Sequence, residues 1–185
     1  MNTDLKDRIY NAQCFGNIEP VEFMVPYPNI FSLVKGQNVK FKDSILYKDL
    51  SITNKEFLDL TNRAASWLTS IGGKPESRIF LPSLPFPYSE IMAFGIWNLG
   101  GTVVLTDDEN PPKRKGFEFL NLISPETDFQ KELSKSNPDF TPTFKPNLLD
   151  EAMIFLEKDN GVRLSHYNLL VNANGVQKSL DLQRG

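Results

Sequence analysis

Four clusters in this chain carry residue types that can do chemistry. Ser165-His166 sets a hydroxyl beside an imidazole, the parts of a nucleophile and its base. Adjacent side chains at a helix start diverge, however, and no acid stands nearby to orient the imidazole. Ser165 therefore reads as the N-cap of the helix that follows. Asp107-Asp108-Glu109 offers carboxylates to a hard cation, yet it follows an apolar β-branched run and reads as a solvated turn. Gly72-Gly73-Lys74 has phosphate-binding residue types without P-loop spacing, and Pro75 behind it makes it a helix stop. Lys113-Arg114-Lys115 is too short for a nucleic-acid patch and reads as a solvated loop. No catalytic residue and no metal-ligand set is assigned.

Composition narrows the field further. A chain of 185 residues predicts one domain, or two intimately packed subdomains. Such a length buries roughly 70% of the surface exposed by the unfolded chain. Apolar residues make up 40% and charged residues 23%, ordinary values for a soluble globular protein. With 20 Lys+Arg against 23 Asp+Glu the net charge is −3, which argues against a nucleic-acid partner. The single cysteine, Cys14, excludes an internal disulfide and a Cys-based zinc site and suits a reducing compartment. The single histidine, His166, removes the usual metal clusters and most triads. The polar N-terminus has no apolar run behind it, so it is no secretory signal. Ile91 to Thr106, the longest uncharged apolar stretch at 16 residues, is too short to span a membrane. A soluble, cytoplasmic protein is expected.

The elements that must position any site follow from periodicity. Residues 1–28 form an N-terminal arm with Pro20, Pro26 and Pro28. Asn29 caps a short helix, and Ser44 to Lys48 reads as a strand turning at Asp49-Leu50-Ser51. Thr53-Asn54-Lys55-Glu56 is a capping box. The helix behind it buries Phe57, Leu60, Ala64, Trp67, Leu68 and Ile71, which recur at helical spacing. Arg78 to Leu81 is a short strand. Pro87 to Leu99 is a helix apolar nearly all round, which must be covered on more than one side. Thr102 to Thr106 is a β-branched strand buried on both faces. Residues 111–150 form a Pro-rich connection, with a strand over Phe117 to Ile123 and a short helix over Glu126 to Ser134. Ala152 to Leu156 is a further buried strand, Asp159-Asn160-Gly161 its turn, and His166 to Leu180 a helix. The order predicts an α/β layered sheet flanked by helices with at least one parallel pairing. The first α/β subdomain runs over 29–110, and a second begins with the strand, turn and helix of 151–185.

Three blocks in this order resemble the N-terminal part of the AMP-forming adenylating enzymes: acyl-CoA synthetases, luciferases and peptide-synthetase adenylation domains. The first is Ser51-Ile52-Thr53-Asn54-Lys55-Glu56-Phe57 with Asn62-Arg63-Ala64-Ala65-Ser66-Trp67-Leu68. The second pairs Phe80-Leu81-Pro82-Ser83-Leu84-Pro85 with Gly100-Gly101-Thr102-Val103-Val104-Leu105. The third, Asn160-Gly161-Val162-Arg163-Leu164-Ser165-His166-Tyr167-Asn168-Leu169, is similar to the family's "K-G-V-x-L-S-H-x-N-L". The resemblance implies an α/β fold, a cofactor-binding place for Gly161 and His166, and a position for His166 near the substrate side. On the residues alone, His166 reads as a half-exposed structural histidine.

One departure is chemical. Before the third block the family carries a Ser/Thr/Gly-rich loop whose N–H and hydroxyl groups cradle ATP phosphates. This chain has Leu156-Glu157-Lys158-Asp159-Asn160-Gly161 there, with no Ser or Thr and with two carboxylates that would repel a triphosphate. The segments that in the family bind adenine and Mg²⁺ and supply a C-terminal lysine have no counterpart here. The reading is a noncatalytic binding or scaffolding module that retains a hydrophobic crevice, binds no cofactor by itself, and docks on an active enzyme or on a second copy. The alternative is one part of an AMP-forming acyl-CoA ligase, with ATP and Mg²⁺ as cofactors, completed by a longer chain or a second subunit.

Overall fold

The computed structural model describes residues 27–106, 117–157 and 160–179. Its elements begin where their caps are. Asn29 Oδ1 accepts the Ser32 N–H at 2.9 Å and opens helix α1 (Ile30–Phe41). Strands β1 (Ile45–Tyr47) and β2 (Ile52–Thr53) form a small antiparallel hairpin across a 3-10 turn. Thr53 Oγ1 accepts the Glu56 N–H at 3.2 Å while Glu56 Oε2 accepts the Thr53 N–H at 2.8 Å. This reciprocal box satisfies two orphan donors at the start of α2 (Asn54–Ser70). Helix α2 buries Phe57, Ala64, Trp67 and Leu68 as expected, together with Thr61 and Ala65; Leu60 and Ile71 sit half-buried at its margin. Gly72, at φ +104°, supplies the left-handed turn that lets the chain leave it.

The main sheet follows: β3 (Arg78–Phe80), helix α3 (Tyr88–Leu99), β4 (Thr102–Thr106), helix α4 (Phe129–Lys135), β5 (Glu151–Glu157), β6 (Asn160–Ser165) and helix α5 (His166–Ser179). Its strand order is β3-β4-β5-β6. β4 lies parallel to both β3 and β5, with Ile79 opposite Val103 and Val104 opposite Ile154. β6 returns antiparallel to β5. One sheet face packs under α2 and α3 through Ile79, Val103 and Ala152, and Ala152 O accepts the indole N–H of Trp97 at 2.8 Å. The other face carries Val104, Ile154 and Leu156, covered by Phe117 and Phe119. Among the described residues, no helix is long and apolar enough to cross a membrane.

Three elements depart from the sequence expectation. Phe117 to Ile123 is not a strand: it joins β3 at an Ile79–Leu120 bridge, while Phe117 and Phe119 turn onto the sheet face. The short helix starts at Phe129 rather than Glu126, because Asp128 caps it by accepting the Lys131 N–H at 3.1 Å. Asn160-Gly161 is not the turn of the hairpin. Both residues are paired in β6, Asn160 with Glu157 and Gly161 with Leu156, so the ladder takes in the whole dipeptide.

Helices α2 and α3 approach closely at Gly95, where an added Cβ would stand 2.6 Å from the Ala64 Cβ. Packed interiors do not absorb such an overlap without backbone movement. Gly95→Val is therefore expected to cost about 1–3 kcal/mol, seen as a lower urea midpoint. Gly95→Ala should cost less, because its helix-propensity gain of about 1 kcal/mol offsets part of the overlap.

Candidate functional site

In a parallel sheet the carboxyl ends of the strands carry free peptide groups and the mouths of crevices, so ligands bind there. Here those ends open on an apolar crevice of about 660 Å³. Leu81, Pro82 and Ser83 follow β3 into it; Leu105 and Thr106 come from β4, and Phe155, Leu156 and Glu157 from β5. The facing wall is one stripe of α3: Glu90, Ala93, Phe94 and Trp97, the i, i+3, i+4, i+7 positions. Three contacts hold that wall in place. The Trp97 indole is tied to the sheet through Ala152, and Phe94 stands edge-on to Trp97 at 5.0 Å and to Phe57 at 5.4 Å. The approach to α3 is clipped by Ser89, whose hydroxyl accepts the Leu84 N–H at 3.2 Å and donates to Leu84 O at 3.0 Å.

The crevice is acidic where it is charged. Glu90 is the only charged residue of α3. Its Oε2 is buried with no hydrogen-bond partner. The nearby Tyr47 phenol is pushed up to about 12, by burial first and by the charge of Glu90 second. The charged residues among the described lining are Glu90 and Glu157.

A tight β5–β6 hairpin stands beside this crevice. Backbone pairing reaches Glu157 and Asn160, leaving two residues, Lys158 and Asp159, between the paired ends. Backbone N–H groups committed to a ladder are not free to converge on an anion. Gly161 lies in that ladder opposite Leu156 and is exposed.

His166 stands at the other end of β6, roughly 16 Å from Gly161 at the usual rise per residue. It is fully buried, not half-exposed. Its Nδ1 accepts the Ile30 N–H at 3.3 Å, and its own N–H donates to Asp150 O at 3.2 Å. The imidazole thus pins the start of α1, beside the Asn29 amide that donates to Pro146 O at 3.0 Å. Burial pushes it down to about 4, with the Asp150 charge working against that shift. The Ser165 hydroxyl accepts the Asn168 N–H at 3.2 Å and acts as the expected N-cap. Gly161 and His166 are therefore not brought together in one site. Asp107-Asp108-Glu109, Lys113-Arg114-Lys115 and Cys14 lie outside the described residues.

The amino ends of the strands form a different hollow, of about 1050 Å³. Glu151 at the start of β5 receives Arg78 Nε at 2.7 Å and is also paired with Arg163. Burial pushes the Glu151 carboxyl up, and the two guanidinium groups outweigh it and hold the group below the usual carboxylate range. This clamp lines the hollow together with apolar side chains that include Phe117, Leu120 and Phe144. The crevice residues themselves were not singled out in the sequence. Their signal was the unbroken apolar character of α3, whose third face lines the crevice while the others meet α2 and the sheet.

No family model matches the sequence, and no curated protein does. Solved structures do match. The chain is similar to a nonribosomal peptide synthetase, FmoA3, bound to alpha-methyl-L-serine-AMP: TM-score 0.64, 14% identity, covering 88% of this chain and 20% of that one. It is also similar to the N-terminal subdomain of Klebsiella oxytoca NpsA in complex with 3-hydroxyanthranilyl-AMSN (TM-score 0.58, 12% identity, 76% of this chain and 41% of that one). The inhibitor-bound N-terminal domain of FACL13 from Mycobacterium tuberculosis gives TM-score 0.56 at 16% identity, covering 76% of this chain and 45% of that one. The chain spans less than half the length of each. The fold is that of the N-terminal part of adenylation enzymes, as the three sequence blocks implied.

Because the folded imidazole titrates near 4 and the unfolded one near 6.5, the neutral form is the one the fold favours. Stability should be full above pH 6.5 and should fall as pH drops from there towards 4. His166→Asn should lower the urea midpoint at pH 7.5 and remove about 1–2 kcal/mol of the loss between pH 7.5 and pH 5.

Proposed function

We propose that this chain is a noncatalytic binding or scaffolding module. It uses the fold of an adenylating enzyme's N-terminal part to hold an apolar ligand at the carboxyl ends of β3, β4 and β5. The observation that carries this reading is the pairing of Glu157 with Asn160. Where a phosphate cradle would need a wide loop of free N–H and hydroxyl groups, the ladder closes over two residues, and the sequence from Glu157 to Gly161 holds no hydroxyl side chain. The crevice beside it is intact, apolar and rigid-walled. Its partners are a protein that the module docks on, or a second copy of itself.

A second reading is favoured by one fact, the short span of the similar structures that this chain covers. In it the chain is one part of an AMP-forming acyl-CoA ligase, framing the acyl pocket, with the ATP and Mg²⁺ sites on the rest of a longer chain or on a second subunit.

Calorimetry tests the loss of phosphate binding, and the proteins recovered with the chain separate the two readings. The isolated chain should give no binding heat with Mg–ATP at millimolar concentration. Mg–ATP binding that is lost in Gly161→Val would overturn the noncatalytic reading. Recovery of a longer form, or of a partner bearing adenine-binding segments, from the native lysate would favour the second reading.

A further inference from the structure

We infer that His166 is an acid-sensitive latch on helix α1. When the imidazole gains a proton, α1 comes away from α2 and α5 while the sheet stays formed, and an apolar strip of the core is uncovered.

The geometry makes the ring a fastening that only its neutral form can hold. Nδ1 accepts the Ile30 N–H, one of the donors that the first turn of a helix leaves without a partner. A neutral imidazole accepting at Nδ1 carries its proton on Nε2, and Nε2 is buried with no hydrogen-bond partner. The closed form therefore holds one bond beside one unsatisfied donor. A further proton, on Nδ1, would set donor against donor at Ile30 and place a cation at the positive end of the α1 dipole. The ring is fully buried, so water relieves neither. A released ring is hydrated and takes the proton freely, so acid favours release.

The charged groups around the ring leave this outcome in place. Asp150 acts on the imidazole and favours the proton, but burial outweighs it, and its Oδ2 already accepts the Asn147 N–H at 2.7 Å. On α1, Lys35 lies over the Phe31 ring, with the charge of Lys145 acting on it, and Lys40 stands in the last turn. Helix α5 has no Asp, Glu, Lys or Arg before Lys178, about three turns on. Arg163 on β6 is paired with Glu151. Tyr27 lies against Gly36 of α1, and Tyr167 is the second residue of α5.

Mild acid reaches this end of α1 and not the other. At the far end Phe41 O accepts an Asn54 side-chain N–H at 3.0 Å, Ser44 O accepts the Asn54 backbone N–H at 3.0 Å, and Lys42 O accepts the Lys55 N–H at 3.1 Å. The acid there, Glu56, is held below the usual carboxylate range by the Thr53 N–H and hydroxyl. Glu151, pushed up by burial, is held low on balance by Arg78 and Arg163. At pH 5 both remain carboxylates, so the far anchor and the sheet clamp are as at neutral pH. Ile30, Phe31 and Val34 of α1 pack in one cluster with Phe57 of α2 and Leu170 of α5, and these are the contacts that release uncovers.

The test is amide hydrogen exchange of the full chain at pH 7.5 and pH 5, corrected for intrinsic rates, with and without low urea. The opening constant of the helix-bonded amides Val34 to Phe41 should rise roughly tenfold or more from pH 7.5 to pH 5. Its urea dependence should be much shallower than that of the β4 amides, since a local opening exposes less surface. His166→Asn keeps an acceptor near the Nδ1 position and does not titrate, so it should abolish the rise. His166 is the chain's only histidine, so NMR reads its ring nitrogens in the wild type without any variant. At pH 7.5 the proton should stand on Nε2. A proton on Nδ1 would overturn the latch, as would a pH response that persists in His166→Asn. Equal protection and equal urea dependence of α1 and β4 would overturn it too, because acid would then act through global unfolding.

Discussion

Strand β4 is hydrogen-bonded in parallel on both sides, to β3 and to β5, and its Val103 and Val104 have no solvent exposure. A strand in that position needs cover on both faces and neighbours delivered by crossover connections. The rest of the molecule answers these demands. Helix α3 links β3 to β4 and packs with α2 over one face, where Gly95 lets the two backbones approach. Phe117 and Phe119, from the connection between β4 and β5, cover the other.

The two ends of this sheet then acquire opposite chemistry. At the amino ends, Arg78 on β3 reaches across β4 to Glu151 on β5, and Arg163 on β6 joins them. The pairing holds three strands in register, and Thr102 adds a hydroxyl donor to Glu151 O at 3.0 Å. Its ionic groups are largely spent on one another. The carboxyl ends carry a different set of side chains. Apolar side chains from three strands face the Glu90–Trp97 stripe, with acids at the margin.

The β5–β6 hairpin uses its backbone groups in pairing. Extending the ladder to Glu157 and Asn160 satisfies backbone groups locally. The same groups, left unpaired in a wide loop, would have formed an anion site. Ladder and cradle are mutually exclusive uses of one set of N–H donors.

Much of the architecture was legible in the sequence because it is set by local chemistry. The Thr53–Glu56 box, the Asn29 and Ser165 caps, the Gly72 and Gly100 exits and the β-branched run of β4 each act within a few residues, and each forms as read. The three blocks gave the fold of the adenylating N-terminal part for the same reason, since they are the caps and turns of that fold. What only the tertiary structure decided is relational. Asn160-Gly161 favours a turn by itself, yet the register imposed from β4 through β5 carries the ladder past it. His166, adjacent to a capping serine, is buried because α1, distant in sequence, packs its first N–H onto the ring. The acidity of the crevice was also hidden. Glu90 and Glu157 are ordinary surface-type residues in the sequence, and only the parallel pairing of β4 with β5 brings them to one mouth. Local propensities act over one or two turns of chain, and a site assembled from strand ends depends on which strands are neighbours.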